Sequence, residues 1–199
     1  MHCVSFILLV YLSCAVQAGP PHGYKEKKLY AICNLQPDTK LEEADPEITG
    51  QITFKQSFPH GKLEAYFHIK GFPLTPSEST PRAINVHTYG DLSDGCHSVG
   101  GHYNPEFVDH PHHPGDFGNF LVQNGEIQQH RSNLAANIYG TTSIIGRSVV
   151  ISKYADDLGT GHDEGSLEHG NSGPPLACCV IGISNKDSWE KLVPEPSKK

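Results

Sequence analysis

Beyond its first residues the chain has no long apolar run, no sustained helical stripe, no surplus of positive charge and no Asn-x-Ser/Thr sequon. Each absence excludes something. Without about twenty consecutive apolar residues the body of the chain contains no membrane-spanning helix. A formal net charge of −7 argues against a nucleic-acid or polyanion surface. The one basic pair at the end, Lys198-Lys199, follows an acidic Pro-Glu-Pro and reads as a frayed terminus. The missing sequon sets N-glycosylation aside.

What the chain does have begins with MHCVSFILLVYLSCAVQA, apolar from Val4 to Leu12 and closing on Val-Gln-Ala. It reads as a signal peptide, residues 1–18, cleaved after Ala18, although its start lacks Lys or Arg. Residues 19–199 then form one secreted domain, long enough for a proper core. Four cysteines remain: Cys33, Cys96, Cys178 and Cys179. An even number in a secreted chain implies two disulfides, with three possible connectivities. Cys178 and Cys179 are adjacent on a strand, point to opposite faces and must take different partners.

Short alternating or β-rich runs recur at 28–35, 48–56, 62–70, 83–89, 119–123, 126–131, 148–153 and 177–184. Turn signals such as Pro59-His60-Gly61 and Asn124-Gly125 separate them. At most a helical turn is expected, over Ser132 to Ile138. The pattern predicts an all-β fold: an eight-stranded Greek-key sandwich or flattened barrel. Two long loops, 90–118 and 154–175, interrupt it.

The first of those loops is rich in metal-binding side chains. His102, His110, His113 and Asp116 are separated by seven, two and two residues on a Gly/Pro-rich segment. Three imidazoles and one carboxylate can close a tetrahedral zinc site with no solvent position. His112, between two of these ligands, is expected to face solvent.

The stretches VHTYGDLSDGC, GGHYNP, HPGDFGN, GRSVV, DDLGTG and HGNSGPPLACCVIGIS give the chain a family likeness. Over residues 27 to 185 it resembles the Cu/Zn superoxide dismutases, and their extracellular branch in particular. It resembles more closely still the dismutase-derived haemolymph proteins of bivalves (cavortin, dominin, pernin), in which the fold persists and copper ligands are lost. The resemblance implies the zinc set already named, disulfides Cys96–Cys178 and Cys33–Cys179, and Asp156 as the carboxylate linking the two metal sites through ligand histidines. It also implies that Asp156 orients His110 while its other partner is the Asn85 amide.

The same resemblance implies a degraded copper site. Its four positions fall on Asn85, His87, the bridging His102 and Ser152, so an amide and a hydroxyl stand where imidazoles are expected. Pro175 takes the place of the family's active-site arginine. Weak neutral donors hold copper loosely, and a proline guides no anion. Zinc is therefore the expected cofactor and copper is not. The expected protein is not an enzyme but a secreted zinc or divalent-metal carrier of a haemolymph-like fluid. The alternatives are a structural or defence-related plasma protein whose zinc only stabilises the fold, and an active superoxide dismutase. Val180-Ile181-Gly182-Ile183 resembles the family's pairing strand, implying a homodimer or larger assembly. His97, His112, His130, His162 and His169 lie outside the zinc set; His162-Asp163-Glu164 and Glu168-His169 suggest further, weaker metal binding.

Overall fold

The structure, a computed structural model, describes residues 27–74 and 80–194. The signal peptide and Lys198-Lys199 lie outside the described residues. In chain order the strands are Lys27–Pro37 (β1), Thr49–Phe58 (β2), Leu63–Lys70 (β3), Pro81–His87 (β4), Ser93–Cys96 (β5), Asp116–Leu121 (β6), Glu126–Leu134 (β7), Ser148–Ser152 (β8), Pro175–Val180 (β9) and Gly182–Ser184 (β10). Among the described residues there are also two short helices, Glu164–His169 (α1) and Lys186–Leu192 (α2).

Period-two patterning builds the wall. In β3, Leu63, Ala65, Phe67 and Ile69 are buried, while Glu64 and His68 reach the partly exposed outer face. Eight strands hydrogen-bond in the order β6-β4-β8-β9-β1-β2-β3-β7, each pair antiparallel. The two ends of that path approach each other, where Arg131 Nη2 donates to the Asn119 carbonyl at 3.0 Å. The result is an all-β, nearly closed eight-stranded barrel. Inside it Phe67 meets Phe117 and Phe120 at centroid separations of 5.8 and 4.4 Å. Burying each such ring stabilises the fold by roughly 1.5–3 kcal/mol.

The structure departs from the expected elements in several places, and the expected loop 90–118 itself contains β5 and the start of β6. The run 177–184 is not one strand: Ile181 leaves the ladder, donating its N–H to Arg147 O and accepting from Gly146 N. β10 therefore starts afresh on the other half of β1, opposite Tyr30 to Ile32. The segment 132–138 is no helix; β7 runs on to Leu134. Two helices went unforeseen because six and seven residues are too few to show a periodic stripe. Their ends follow capping chemistry all the same. Asp163 accepts from Ser166 N at the start of α1, and Gly170 closes it in the left-handed conformation.

Two disulfides tie the frame. Cys33–Cys179 joins β1 to β9 within the core. Cys96–Cys178 anchors the long connection between β4 and β6, through β5, onto β9. Trp189 of α2 packs on the outer wall, 4.4 Å from Lys55 Nζ and 5.9 Å from the His130 ring.

Candidate metal centre

The connection from β4 to β6 and the one from β8 to β9 meet at one end of the barrel, where His110 N–H donates to the Leu167 carbonyl at 2.9 Å. His102 follows a bridge to His87 of β4. Asp116 opens β6 directly opposite Asn85 of β4. His113 sits one tight turn earlier, and its backbone N–H donates to Asp116 Oδ2 at 3.0 Å.

From these anchors the four side chains converge. The Nδ1 atoms of His102, His110 and His113 each lie 3.0 Å from an Asp116 carboxylate oxygen. One ligand atom from each residue falls within 4.8 Å of all the others. All four side chains are almost completely buried. The outward nitrogens are committed too: His110 Nε2 meets Asp156 Oδ1 at 2.7 Å, and His113 Nε2 donates to Val108 O at 3.0 Å. Such outer partners fix the tautomer and leave Nδ1 with a lone pair facing inward. A three-imidazole, one-carboxylate cage closed to solvent fits zinc.

The electrostatics express the same convergence without an ion. Burial opposes charge on both partners, yet hydrogen bonds dominate. Those to Asp116 and Asp156 lift His110 to about 9. Those from His102 and His110 hold Asp116 well below the ordinary carboxylate range. A divalent cation replaces protons here rather than filling a neutral hole.

Support for Asp156 comes from residues that spacing did not flag. Asn119 clasps its backbone, accepting from Asp156 N and donating to Asp156 O at 2.8 Å each. Gly170 is required: a Cβ there would collide with Asp156 Oδ1 and His110 Nε2. The Gly after a short polar helix was the available signal, but it reads first as a cap.

The neighbouring pocket is organised differently. His87 Nδ1 donates to Gly100 O at 2.7 Å, and its ring lies 5.0 Å from that of His102. Burial first, then the nearby His102, lowers His87 to about 4, so it is neutral at physiological pH. Asn85 is only 1% exposed, and neither its side-chain oxygen nor its nitrogen has a hydrogen-bond partner. Asp156 Oδ2 is likewise unpartnered. The expected Asn85–Asp156 contact is therefore not made; an amide is shorter than an imidazole and leaves a gap. Ser152 is buried against Ser172, hydroxyl to hydroxyl at 3.2 Å. Pro175 begins β9 opposite Ser152.

The remaining histidines disperse. His97 pairs with buried Asp38 at 2.9 Å and His130 with Glu64 at 3.2 Å. His112 and His162 are exposed. His162-Asp163-Glu164 does not form a ligand cluster, because Asp163 caps α1 and binds Asn171. His169 ends α1 and shares a cleft of about 390 Å³ with His102 and His113.

Fold and site together define a Greek-key barrel protein with a loop-borne, buried three-histidine, one-aspartate metal centre. The chain belongs to the copper/zinc superoxide dismutase family, whose model matches residues 48–181. It is 48% identical over 171 residues to the extracellular superoxide dismutase (Cu-Zn) of Homo sapiens, covering 86% of this chain and 71% of that protein. The rabbit (Oryctolagus cuniculus) protein of the same name is also 48% identical, over 91% of this chain and 72% of its own length. A superoxide dismutase (Cu-Zn) of Saccharomyces cerevisiae is 35% identical over 72% of this chain and 95% of its length.

These relatives support an extracellular protein, as the N-terminal segment suggests. They overturn the expectation that the chain is not an enzyme. Proteins sharing about half its residues are named superoxide dismutases, which points to an enzyme. The expectation rested on three side chains, Asn85, Ser152 and Pro175, out of a whole barrel and metal centre. The barrel, the His3Asp centre and the imidazoles of His87 and His102 are all kept. Ligand replacement alone does not establish loss of turnover.

Proposed function

We propose that this is a secreted divalent-metal protein of the family that holds one zinc ion per chain through His102, His110, His113 and Asp116. The observation that carries this reading is the convergence of three Nδ1 atoms on one buried carboxylate. Zinc in such a cage neutralises the carboxylate and ties the two loops to β6, so its binding adds to folding stability. Asp156 orients His110, and Val108 O orients His113.

Carriage or storage of that metal in a haemolymph-like fluid fits the substitutions at the adjacent pocket. Replaced copper positions are what the resemblance to the bivalve haemolymph proteins implies. Copper is held weakly there, because two imidazoles remain and the Ser152 hydroxyl is turned to Ser172. A second reading, superoxide dismutation, is favoured by the names of the relatives and places its redox metal on His87 and His102. Assembly follows from β9 and β10: Val180 is 38% and Ile183 81% exposed, while Ile181 between them is buried. Exposed apolar side chains on these two strands suit pairing with a second copy.

Metal analysis of His113→Ala against the unsubstituted protein tests the zinc reading. Zinc content and thermal stability are expected to fall together; unchanged stoichiometry overturns it. Copper loading with a dismutase assay on the same preparation separates the two readings.

A further inference from the structure

We propose that a groove between β6 and β7, at the end of β6 remote from Asp116, binds a neutral, hydroxyl-rich sugar unit. The site is separate from the metal centre and does not depend on the zinc reading.

The groove exists because the barrel does not fully close. β7 pairs with β3 on one side, and no ladder among the described strands joins it to β6. The core-facing row of β7 carries the mark of that opening. Ile127, Gln129 and Arg131 stand opposite Ile69, Phe67 and Ala65 of β3, all three fully buried. Ile127 is buried as well, but Gln129 and Arg131 are polar and partly exposed. The seam is therefore open on that side, with a cavity of about 490 Å³, within the range of small-ligand sites.

The charges that line it are already engaged. Arg131 Nη2 donates to Asn119 O at 3.0 Å, and its guanidinium lies 4.6 Å from the Phe120 ring centroid. Glu126 Oε2 accepts from Gln128 Nε2 at 2.6 Å and faces His68 Nε2 at 3.8 Å. The Asn119 amide is held by the Asp156 backbone. What remains for a ligand is neutral. The amides of Gln123, Asn124 and Gln129 line the groove and make no hydrogen bond among the described residues. Asn124 and Gly125 form a tight turn with φ of 53° and 77°, closed by reciprocal Gln123–Glu126 backbone bonds of 2.8 and 3.0 Å.

Each free amide offers an acceptor and two donors on one planar group. A sugar hydroxyl also donates and accepts, so neighbouring hydroxyls match neighbouring amides without charge. A phosphate or sulfate ester calls for an uncommitted cation, and the guanidinium here is engaged. Leu121, 54% exposed on the same wall, offers apolar contact to the C–H face of a pyranose. Gln129 stands on a paired strand and Asn124 on a tight turn, so little backbone freedom is lost on binding.

The test is an NMR titration of isotope-labelled full-length protein with the methyl glycosides of glucose, galactose and mannose, and with maltose and lactose. Shifts at Gln123, Asn124 and Gln129 are expected, with a dissociation constant on the order of 1 mM. Free sugars and glycan ends present the same hydroxyls. Equal binding of glycosides and disaccharides assigns the site to free sugar; about tenfold tighter disaccharide binding assigns it to a glycan end. Gln123→Ala and Gln129→Ala are each expected to weaken binding about tenfold, the loss of one hydrogen-bonded pair, at an unchanged melting temperature. No shift in the groove with any of these sugars at about 50 mM overturns the proposal. So does unchanged affinity in both variants, or tighter binding of a sulfated glucose than of glucose. Should a substitution lower the melting temperature, the shift map of the unsubstituted protein decides alone.

Discussion

Two pockets share His102, and they are built to different standards. On the zinc side, Nε2 of His110 and of His113 is held by Asp156 and Val108, and the Nδ1 atoms of three imidazoles lie 3.0 Å from the Asp116 carboxylate. On the other side, Asn85 has no partner, one Asp156 oxygen is free, and Ser152 faces Ser172. The difference follows from where the residues come from. The zinc side is drawn from one fifteen-residue loop, 102–116, whose internal turns hold the spacing. The other side is gathered from β4, β8 and β9, so each position can change without disturbing the others.

Several substitutions would break that contrast. The largest effect is expected from Cys96→Ser with Cys178→Ser, which frees the metal-bearing connection from β9. The bridge spans 82 residues, and its loss costs about 4.5 kcal/mol in the chain-entropy model. Urea unfolding measures this, and zinc affinity is expected to fall with it while the barrel stays folded. Next comes Gly170→Ala, which forces Asp156 away from His110. A 10- to 100-fold loss of zinc affinity is expected, in line with disturbed outer partners of metal ligands. Equal affinity by competition with a chelator would remove Asp156 from the account.

The opposite sign is expected on the other side. Asn85→Val removes two orphaned polar atoms and is expected to stabilise the metal-free protein by about 1–2 kcal/mol. A destabilised Asn85→Val would mean that the amide is satisfied in solution. A further effect concerns pH. His110 lies at about 9 in the folded chain against an ordinary 6.5. Its contribution in the metal-free protein is therefore complete below about pH 6.5 and lost as pH rises through about 9. The melting temperature of stripped protein should decline across that window, and His110→Asn should flatten the slope.

Much of this was legible in the chain. Alternation in Leu63–Lys70 and the turn signals around it gave the barrel, because a strand with one buried face writes its period into the sequence. The ligand loop was legible because four donors at fixed spacing are improbable by composition. The helices were not, since α1 exists through Asp163 and Gly170 rather than through any apolar stripe. Nor was the state of Asn85: whether a buried amide finds a partner depends on about an ångström of reach. The family resemblance led too far at one point, from three replaced residues to the absence of an enzyme.

Zinc content of protein purified from its native source without chelators, compared with Asp116→Asn produced and handled alike, tests the central claim most directly. The account predicts at least one tightly held zinc per chain in the first and one equivalent fewer in the second, because the carboxylate is the only charged member of the cage. Identical zinc content in the two proteins would contradict it.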